Sequence, residues 1–196
     1  MLYTRKGDSG TTCAFGCDQR FSKSEKLAEA LGTVDELNSY IGLCKSKIGK
    51  DKSFAVGERS VYEILTEIQQ NLFTIQAEIA GADKHITQEK VDTMEKIIAD
   101  IEKILPPIHS FFIPGSTERS ALFDMARAIA RRAERREVAF CFERDGVKTQ
   151  YGEVTVPVKE QREASLVYLN RLSSLLYALA RLANHASEVK EEVPEY

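Results

Sequence analysis

Three arginines spaced by four residues are the group in this sequence best suited to binding phosphate. Arg127, Arg131 and Arg135 stand in the stretch ALFDMARAIARRAERR, and on an α-helix this spacing puts their guanidinium groups along one face. Planar forked donors match phosphate oxygens, so the stripe indicates a polyphosphate site. The alternative is a solvated basic face balanced by neighbouring acids, because charge runs on helices are usually surface.

A second candidate for anion binding is the N-terminal stretch YTRKGDSGTT, residues 3–12. It combines two glycines, three threonines, a serine and two cations without apolar periodicity. Such a backbone can wrap its N–H groups around an anion, although the spacing of a Walker A loop is absent. The other interpretation is a flexible terminus.

Two rows of polar or small residues also occur at helical spacing. One row runs through a leucine-rich segment and consists of Asn170, Ser173, Ser174, Tyr177, Arg181 and Asn184. Its side chains must be satisfied by solvent, by a partner subunit or by a ligand. The other row consists of Gly32, Asp35, Ser39 and Gly42. If a helix packs closely there, Asp35 needs a cation, for which Arg127 is a candidate.

The elements that must position these groups are helices. Apolar residues recur at steps of three and four in five segments, residues 27–48, 61–79, 91–105, 122–133 and 166–183. This periodicity predicts five amphipathic helices. Since most connections between them are short, we expect an all-α, five-helix up-and-down bundle over residues 22–190.

Local signals predict where these elements begin and end. Ser22 with Glu25 predicts a capping box for the first helix, Gly81 a stop for the second and Pro106 the end of the third. Partial alternation predicts a small hairpin or loop insertion near residues 140–157. The tail EVKEEVPEY is charged enough that we expect it to fray.

Composition and charge exclude several classes of protein. The 196 residues are 43% hydrophobic with a net charge of −3, so one domain over residues 1–196 is expected. The negative balance offers no general attraction to nucleic acid or to an anionic membrane, and no apolar run is long enough to cross a bilayer. We therefore expect a cytoplasmic protein with neither partner. Cysteines and histidines are scattered, which predicts no metal site made by protein side chains alone.

Several stretches together resemble the PduO-type ATP:cob(I)alamin adenosyltransferases, or corrinoid adenosyltransferases. They are YTRKGDSGTT, SKSE, EALGTVDELNSYIG, FFIPGST, ALFDMARAIARRAERR and YLNRLSSLLYALARLAN, and they run from Tyr3 to about His185. The resemblance implies a transferase that moves the 5′-deoxyadenosyl group of ATP to cob(I)alamin or a related corrinoid and releases triphosphate. It also implies a homotrimer of five-helix bundles with active sites between subunits.

The resemblance assigns nucleotide-binding roles to residues of the N-terminal and arginine stretches. Residues 1–21 would form a nucleotide-binding segment whose pocket is lined by Thr4, Arg5, Lys6, Gly7 and Thr12. Lys23 would reach the phosphates. Arg131 would neutralise the triphosphate, in an element completed by Arg132, Glu134 and Arg135. Asn170 would hydrogen-bond the nucleotide from the adjoining subunit.

Catalytic roles are implied for Arg131 and for three further residues. Asp35 and Arg127 would form an intersubunit salt bridge that shapes the site. Phe112 would pack against the corrin and keep the lower axial ligand off cobalt, whereas its other interpretation is a core phenylalanine beside Phe111. Cobalt(I) is itself the nucleophile, so the protein must align two reactants and stabilise a departing triphosphate rather than supply a general base.

The implied ligands and partners complete this hypothesis. ATP and a corrinoid are substrates, Mg²⁺ is expected on the ATP phosphates, and a reduced flavin or flavin-type reductase is expected as electron source. An adenosylcobalamin-dependent enzyme would accept the product. The alternatives are a non-catalytic relative that binds ATP and cobalamin for delivery or sensing, and a helical nucleic-acid-binding module. The chain departs from the usual threonine, lysine and aspartate of this family at Lys6, Ser9 and Ser174.

Overall fold

Five helices dominate the part of the chain that the structure describes. The computed structural model describes residues 3–14, 19–145, 148–150, 153–155 and 160–195. The helices are α1 (Lys26–Ile48), α2 (Val61–Ile79), α3 (Gln88–Glu102), α4 (Glu118–Asp145) and α5 (Glu160–Ala186). This confirms the predicted all-α fold with five helices.

Three short antiparallel strand pairs accompany the helices. They are β1 (Thr11–Cys13) with β2 (Arg20–Ser22), β3 (Ala55–Val56) with β4 (Arg59–Ser60), and β5 (Lys148–Gln150) with β6 (Glu153–Thr155). Thr12 lies opposite Phe21 in the first pair and Thr149 opposite Val154 in the last. The first two pairs were not predicted, because no sustained alternation of apolar and polar residues marks their segments.

The bundle is built around α4 and α5, which pack against each other. α4 also packs against α1, α1 against α2, and α3 against α5. Leucine and isoleucine side chains such as Leu37, Ile75 and Leu172 are fully buried between these helices. Each contributes about 1.5–3 kcal/mol by leaving water, so the apolar stripes read in the sequence are what hold α4 and α5 in place.

The predicted helix ends are partly right. α2 ends at Ile79 and Gly81 follows with φ 92°, as predicted. The predicted capping box of α1 is wrong, because Ser22 ends strand β2 and Glu25 is the N-cap without a side-chain cap bond. α3 ends at Glu102, ahead of Pro106, and the chain continues from there as a turn.

Two further predictions need correction. α4 continues to Asp145, so the hairpin β5–β6 is confirmed in place but is shorter than residues 140–157. The C-terminal tail does not fray, because the Ile113 N–H donates to the Glu192 carbonyl at 2.8 Å. The Glu191 carboxylate also accepts from Asn184 at 2.6 Å. A charged tail can therefore be ordered when its carboxylates find buried donors.

Candidate functional site

The four arginines of the RRAERR segment divide into two pairs with different surroundings. Arg132 donates a short hydrogen bond to Glu36, and the Arg136 Nε atom lies 3.6 Å from Glu29. Both acids belong to α1, which packs along this side of α4. The guanidinium groups of Arg131 and Arg135 are exposed and make no hydrogen bond or ion pair with any described residue.

The unpaired arginines line a cavity of about 460 Å³, here called the arginine cavity. Its wall consists of Arg131, Glu134, Arg135, Val138, Ala139, Phe142 and Asn170. Along α4, two cations and one carboxylate come first in this wall, and three apolar side chains follow them toward the C-terminal end of the helix. This combination suits a ligand with an anionic end and a flat apolar end.

A chain of hydrogen bonds holds Asn170 at the rim of this cavity. Its amide nitrogen donates to the Glu134 carboxylate at 2.9 Å, and its amide oxygen accepts from Arg171 at 2.9 Å. Arg171 also donates to Glu95 of α3 at 2.6 Å. Within one chain Asn170 therefore already shares a cavity with Glu134, and its approach from an adjoining subunit stays a prediction.

A larger cavity of about 800 Å³ lies between α3, α4, α5, the loop before α4 and the tail. Its lining includes Leu105, Ile108, Phe111, Phe112, Pro114, Asp124, Arg127, Arg131, Ser173, Ser174, Tyr177 and Val193. Most of this wall is apolar or aromatic, with polar groups concentrated on α4 and α5. Arg131 lines both cavities, so the two spaces adjoin at this residue.

Phe112 is a wall residue of the large cavity rather than a core residue. Its side chain is half-buried, and its neighbour Phe111 is 77% exposed. The guanidinium carbon of Arg181 lies 5.5 Å from the centre of the Phe112 ring. The interpretation of Phe112 as core packing is therefore wrong.

A buried ionic group underlies this wall and was not predicted. Arg181 is 3% exposed and donates a hydrogen bond to Asp124 at 2.7 Å. Its Nη1 atom forms an ion pair with a Glu191 carboxylate oxygen 2.6 Å away. Asp124 also lies 3.7 Å from the Arg127 Nε atom. Burial raises the pKa of Asp124, although both arginines act to lower it. We call Arg181, Asp124, Glu191 and Arg127 the Arg181 cluster.

The sequence signal that could have revealed this cluster is the polar row on α5. Ser173, Arg181 and Asn184 of that row are buried rather than exposed to solvent. The Asn184 amide oxygen accepts from Thr117 at 2.9 Å. The row therefore faces the large cavity and the tail, which a periodicity argument cannot distinguish from an exposed face.

Asp35 and Arg127 do not meet within one chain. Asp35 is exposed on α1 and accepts a long 3.4 Å hydrogen bond from Gln76 of α2. Arg127 instead faces Asp124 of its own helix. The salt bridge between Asp35 and Arg127 therefore stays a prediction that needs a second subunit.

The N-terminal segment forms a folded hairpin, here called the leader hairpin, residues 3–14 with 19–23. The Lys23 ammonium donates to the Gly7 carbonyl at 2.9 Å, and a Cβ atom on Gly7 would lie 3.1 Å from that ammonium. Arg20 donates to the Thr11 hydroxyl at 2.9 Å. Arg5 has φ 60°, a left-handed conformation that costs a non-glycine residue backbone strain.

The leader hairpin and the cavities are separate within one chain. Its predicted site residues, Thr4, Arg5, Lys6, Gly7, Thr12 and Lys23, line neither cavity. In the described structure, no hydrogen bond or ion pair joins residues 3–14 to a helix. The structure thus brings Arg131, Glu134, Arg135 and Asn170 together, and places Arg132 against Glu36 away from them.

The described ranges contain no group of three or more His, Cys, Asp and Glu side chains placed to hold a metal ion. Their helices are all too short or too polar to span a bilayer.

Comparisons with known proteins point in one direction. A family profile described as cobalamin adenosyltransferase matches residues 2–183. The corrinoid adenosyltransferase PduO of Salmonella typhimurium is 35% identical over 100% of this chain and 54% of its own length. The corrinoid adenosyltransferase of Bacillus subtilis is 35% identical over 96% of this chain and 89% of its own length.

Solved structures extend the likeness to three dimensions. A variant of the PduO-type ATP:corrinoid adenosyltransferase from Lactobacillus reuteri, complexed with cobalamin and ATP, matches with a TM-score of 0.82 and 28% identity. The match covers 100% of both chains. The chain spans about half the length of the PduO proteins of Salmonella typhimurium and Citrobacter freundii.

Proposed function

This chain belongs to the cobalamin adenosyltransferase family, and we propose on that premise that it transfers the 5′-deoxyadenosyl group of ATP to the cobalt of a reduced corrinoid. The observation that carries the proposal is the junction of the two cavities at Arg131. One cavity suits a nucleotide with its phosphates and the other a large, flat, mostly apolar ring. The reacting carbon and the metal would meet where they join.

The reaction requires alignment and charge stabilisation. An electron pair of Co(I) attacks C5′ of ATP, the bond between C5′ and the phosphate oxygen breaks, and triphosphate leaves with the electrons of that bond. Arg131 and Arg135 form no ion pair with any carboxylate in the described ranges, so their charge is available to the departing anion. Arg131, which lines both cavities, would stabilise the oxygen that leaves C5′.

The remaining residues orient the substrates. The apolar side chains Val138, Ala139 and Phe142 offer a surface for the adenosine. Asn170 and Glu134 are already hydrogen-bonded to each other, so their polar atoms are preorganised for a nucleotide. Phe112 presents an aromatic wall to the corrin and disfavours water as a replacement axial ligand. We propose Mg²⁺ as a counter-ion of the ATP phosphates, because the protein cations alone do not balance triphosphate.

We also propose a homotrimer in which the leader hairpin of one subunit closes the arginine cavity of the next. Several features support this arrangement. The leader hairpin is folded but separate from the cavities, Asp35 is exposed, and Leu43, Phe73 and Met125 are exposed apolar residues on α1, α2 and α4. The mass of the particle in solution tests it. Light scattering should give three times the 22.0 kDa chain mass, and a 22.0 kDa particle would contradict it.

The same proposal includes a cytoplasmic location, an electron source and an acceptor. Making Co(I) requires a strong one-electron donor, for which we propose reduced flavin or a flavin-type reductase. An adenosylcobalamin-dependent enzyme would take up the product. Pull-down of the protein with a candidate reductase, with and without a corrinoid bound, tests the partnership directly.

The catalytic proposal is tested by an anaerobic assay. The purified chain is mixed with ATP, Mg²⁺ and chemically reduced cobalamin, and the corrinoid spectrum is followed. Light-sensitive adenosylcobalamin should form only when ATP is present. Tight binding of ATP and cobalamin without product would instead indicate a carrier or sensor. Binding of RNA or DNA without either ligand would favour the nucleic-acid-binding alternative. The structure argues against that alternative, because acids of α1 already neutralise two of the arginines.

A further inference from the structure

Arg181 is a buried charge that the proposed reaction does not use directly. It lies in α5 at 3% exposure, with Asp124 at 6% and Glu191 at 16% as its partners. The Arg181 Nε atom is buried and has no hydrogen-bond partner in the described structure. A buried ion pair contributes little net stability compared with apolar packing. Stability alone therefore does not explain why the charged Arg181 side chain is buried beside the large cavity.

The guanidinium group of Arg181 contacts two aromatic walls of the large cavity. Its central carbon lies 5.5 Å from the centre of the Phe112 ring and 5.0 Å from that of Tyr177. Both distances are within the range of cation–π attraction. Phe112 lies in a loop outside any helix. The contact with Arg181 therefore ties this loop residue to the rigid helix α5.

The same guanidinium group orients a polar wall of the cavity. One carboxylate oxygen of Asp124 accepts a hydrogen bond from Arg181, and the other oxygen lies near the Arg127 Nε atom. Arg127 and Asp124 both line the cavity. The tail contacts Arg181 through Glu191. Two later residues of the tail, Val193 and Pro194, also line the cavity. One buried cation thus links the loop, α4 and the tail.

We infer that Arg181 is a positioning residue, which holds Phe112, the Asp124–Arg127 pair and the tail in the arrangement that receives the corrin. The inference rests on the proposed function and adds a residue that touches neither substrate. Its effect is exerted through Phe112, so it concerns the removal of the lower axial ligand more than the binding of ATP. If Arg181 had a purely structural role, its substitution would change the stability of the protein but not the removal of the lower axial ligand.

Two variants of the full-length chain test the inference. Arg181→Lys keeps the positive charge, but one ammonium cannot bridge Asp124 and Glu191 while also lying against two rings. The double variant Arg181→Met with Asp124→Asn removes the two most buried charges of the cluster together. Glu191 is 16% exposed and can turn to solvent, so this variant should fold even if Arg181→Lys does not. Tyr168→Phe is the matched control. Tyr168 is also buried in α5 and bonded to Asn71 at 3.0 Å, but it does not line the large cavity.

The decisive readout is the coordination state of bound cob(II)alamin in the presence of ATP and Mg²⁺. Electron paramagnetic resonance and absorption spectra distinguish corrinoid that has lost its axial ligand from corrinoid that retains it. We expect both Arg181 variants to lower the four-coordinate fraction and to lower kcat by about tenfold or more. KM for ATP should stay within about threefold, since the arginine cavity is unchanged.

Each outcome has one meaning. A lowered four-coordinate fraction in the variants but not in Tyr168→Phe supports the inference. An unchanged fraction, an equal fall in Tyr168→Phe, or a fall in ATP binding of the same size as the fall in kcat overturns it. If the unmodified protein makes no adenosylcobalamin, the proposed function fails. If it does and the Arg181 variants behave like it, only the inference fails.

Discussion

At the scale of single residues, the helical neighbours Arg131 and Arg132 are distinguished by their partners. α1 supplies Glu36 and Glu29 to Arg132 and Arg136, while Arg131 and Arg135 keep their charge available. Two of the four arginines therefore have a structural role, since they pair with acids of α1. The other two line the arginine cavity, where an anionic leaving group would be stabilised.

Arg131→Ala should lower kcat/KM for adenosyl transfer by about 10²–10³-fold, since it removes one preorganised donor to the leaving group. Arg136→Ala is the matched control on the same helix. Its exposed pair with Glu29 contributes little, so activity should stay within about twofold. Steady-state kinetics with both variants, after circular dichroism confirms their fold, measures the difference. Equal losses would show that the two arginines share one role.

Cysteine reactivity is a second residue-scale prediction. Cys44 is fully buried between α1 and α4, and burial raises its pKa from 9.0 to about 12. Cys13 is exposed. At pH 8.5 Cys44 should react with iodoacetamide on the order of a thousandfold more slowly than the exposed Cys13, because the rise of the Cys44 pKa from 9.0 to about 12 lowers its thiolate fraction about tenfold for each pH unit. Peptide mass spectrometry measures both rates, and denaturant should make them equal.

The sign of the Cys44 effect on stability follows from the same raised pKa. Below pH 9 the thiol is protonated in both states and its contribution is fully present. As pH rises toward 12, the unfolded chain releases the proton first and that contribution is lost. Comparable labelling of Cys44 and Cys13 in the native protein would contradict the packing of α1 on α4.

At the scale of elements, the structure has a capping box where the sequence argument did not place one. Ser60 accepts from the Glu63 N–H at 3.3 Å, and Glu63 accepts from the Ser60 N–H at 3.0 Å. The pair begins α2, and the hydrogen bonds from Ser60 lower the pKa of Glu63. Thr87 occupies the same position of α3 without a side-chain cap bond.

Ser60→Ala should therefore destabilise the protein by about 1 kcal/mol. Thr87→Ala should cost less than about 0.5 kcal/mol, because no cap bond is lost. Urea denaturation at neutral pH measures both. As pH falls through the lowered pKa of Glu63, the carboxylate side of the capping box is lost, so the penalty of Ser60→Ala should shrink on acidification. Equal penalties for the two variants would show that the cap bonds do not stabilise α2.

At the scale of the whole molecule, the described residues of the leader hairpin do not line the arginine cavity of their own chain. A closed ring of identical subunits can bring the two together, since a head-to-tail interface joins two different surfaces. The assembly rather than the chain would then be the catalytic unit.

Complementation between inactive variants tests this arrangement. Lys23→Ala impairs the leader hairpin and Arg131→Ala impairs the cavity, so each homotrimer should be nearly inactive. In randomly mixed trimers roughly a quarter of the sites pair an intact leader hairpin with an intact cavity, and activity should recover to that extent. Mixing Arg131→Ala with Arg135→Ala is the control and should restore nothing, because both changes lie in one cavity. No recovery in the first mixture would place each site within one chain.

The features that could be predicted from the sequence are those of local structure. The five helices and the face shared by Arg127, Arg131 and Arg135 follow from a 3.6-residue repeat, which any segment carries without its neighbours. The place of the hairpin before α5 was likewise readable, although α4 continues further than its apolar pattern.

Which charges are neutralised and which remain available depends on the packing of the helices. Glu36 reaches Arg132, Asp124 reaches Arg181, and Glu191 returns from the tail to the same guanidinium group. These pairs join residues far apart in sequence, and their strength depends on burial, which comes from how helices pack rather than from any local pattern. The two cavities and their junction at Arg131 are products of that packing.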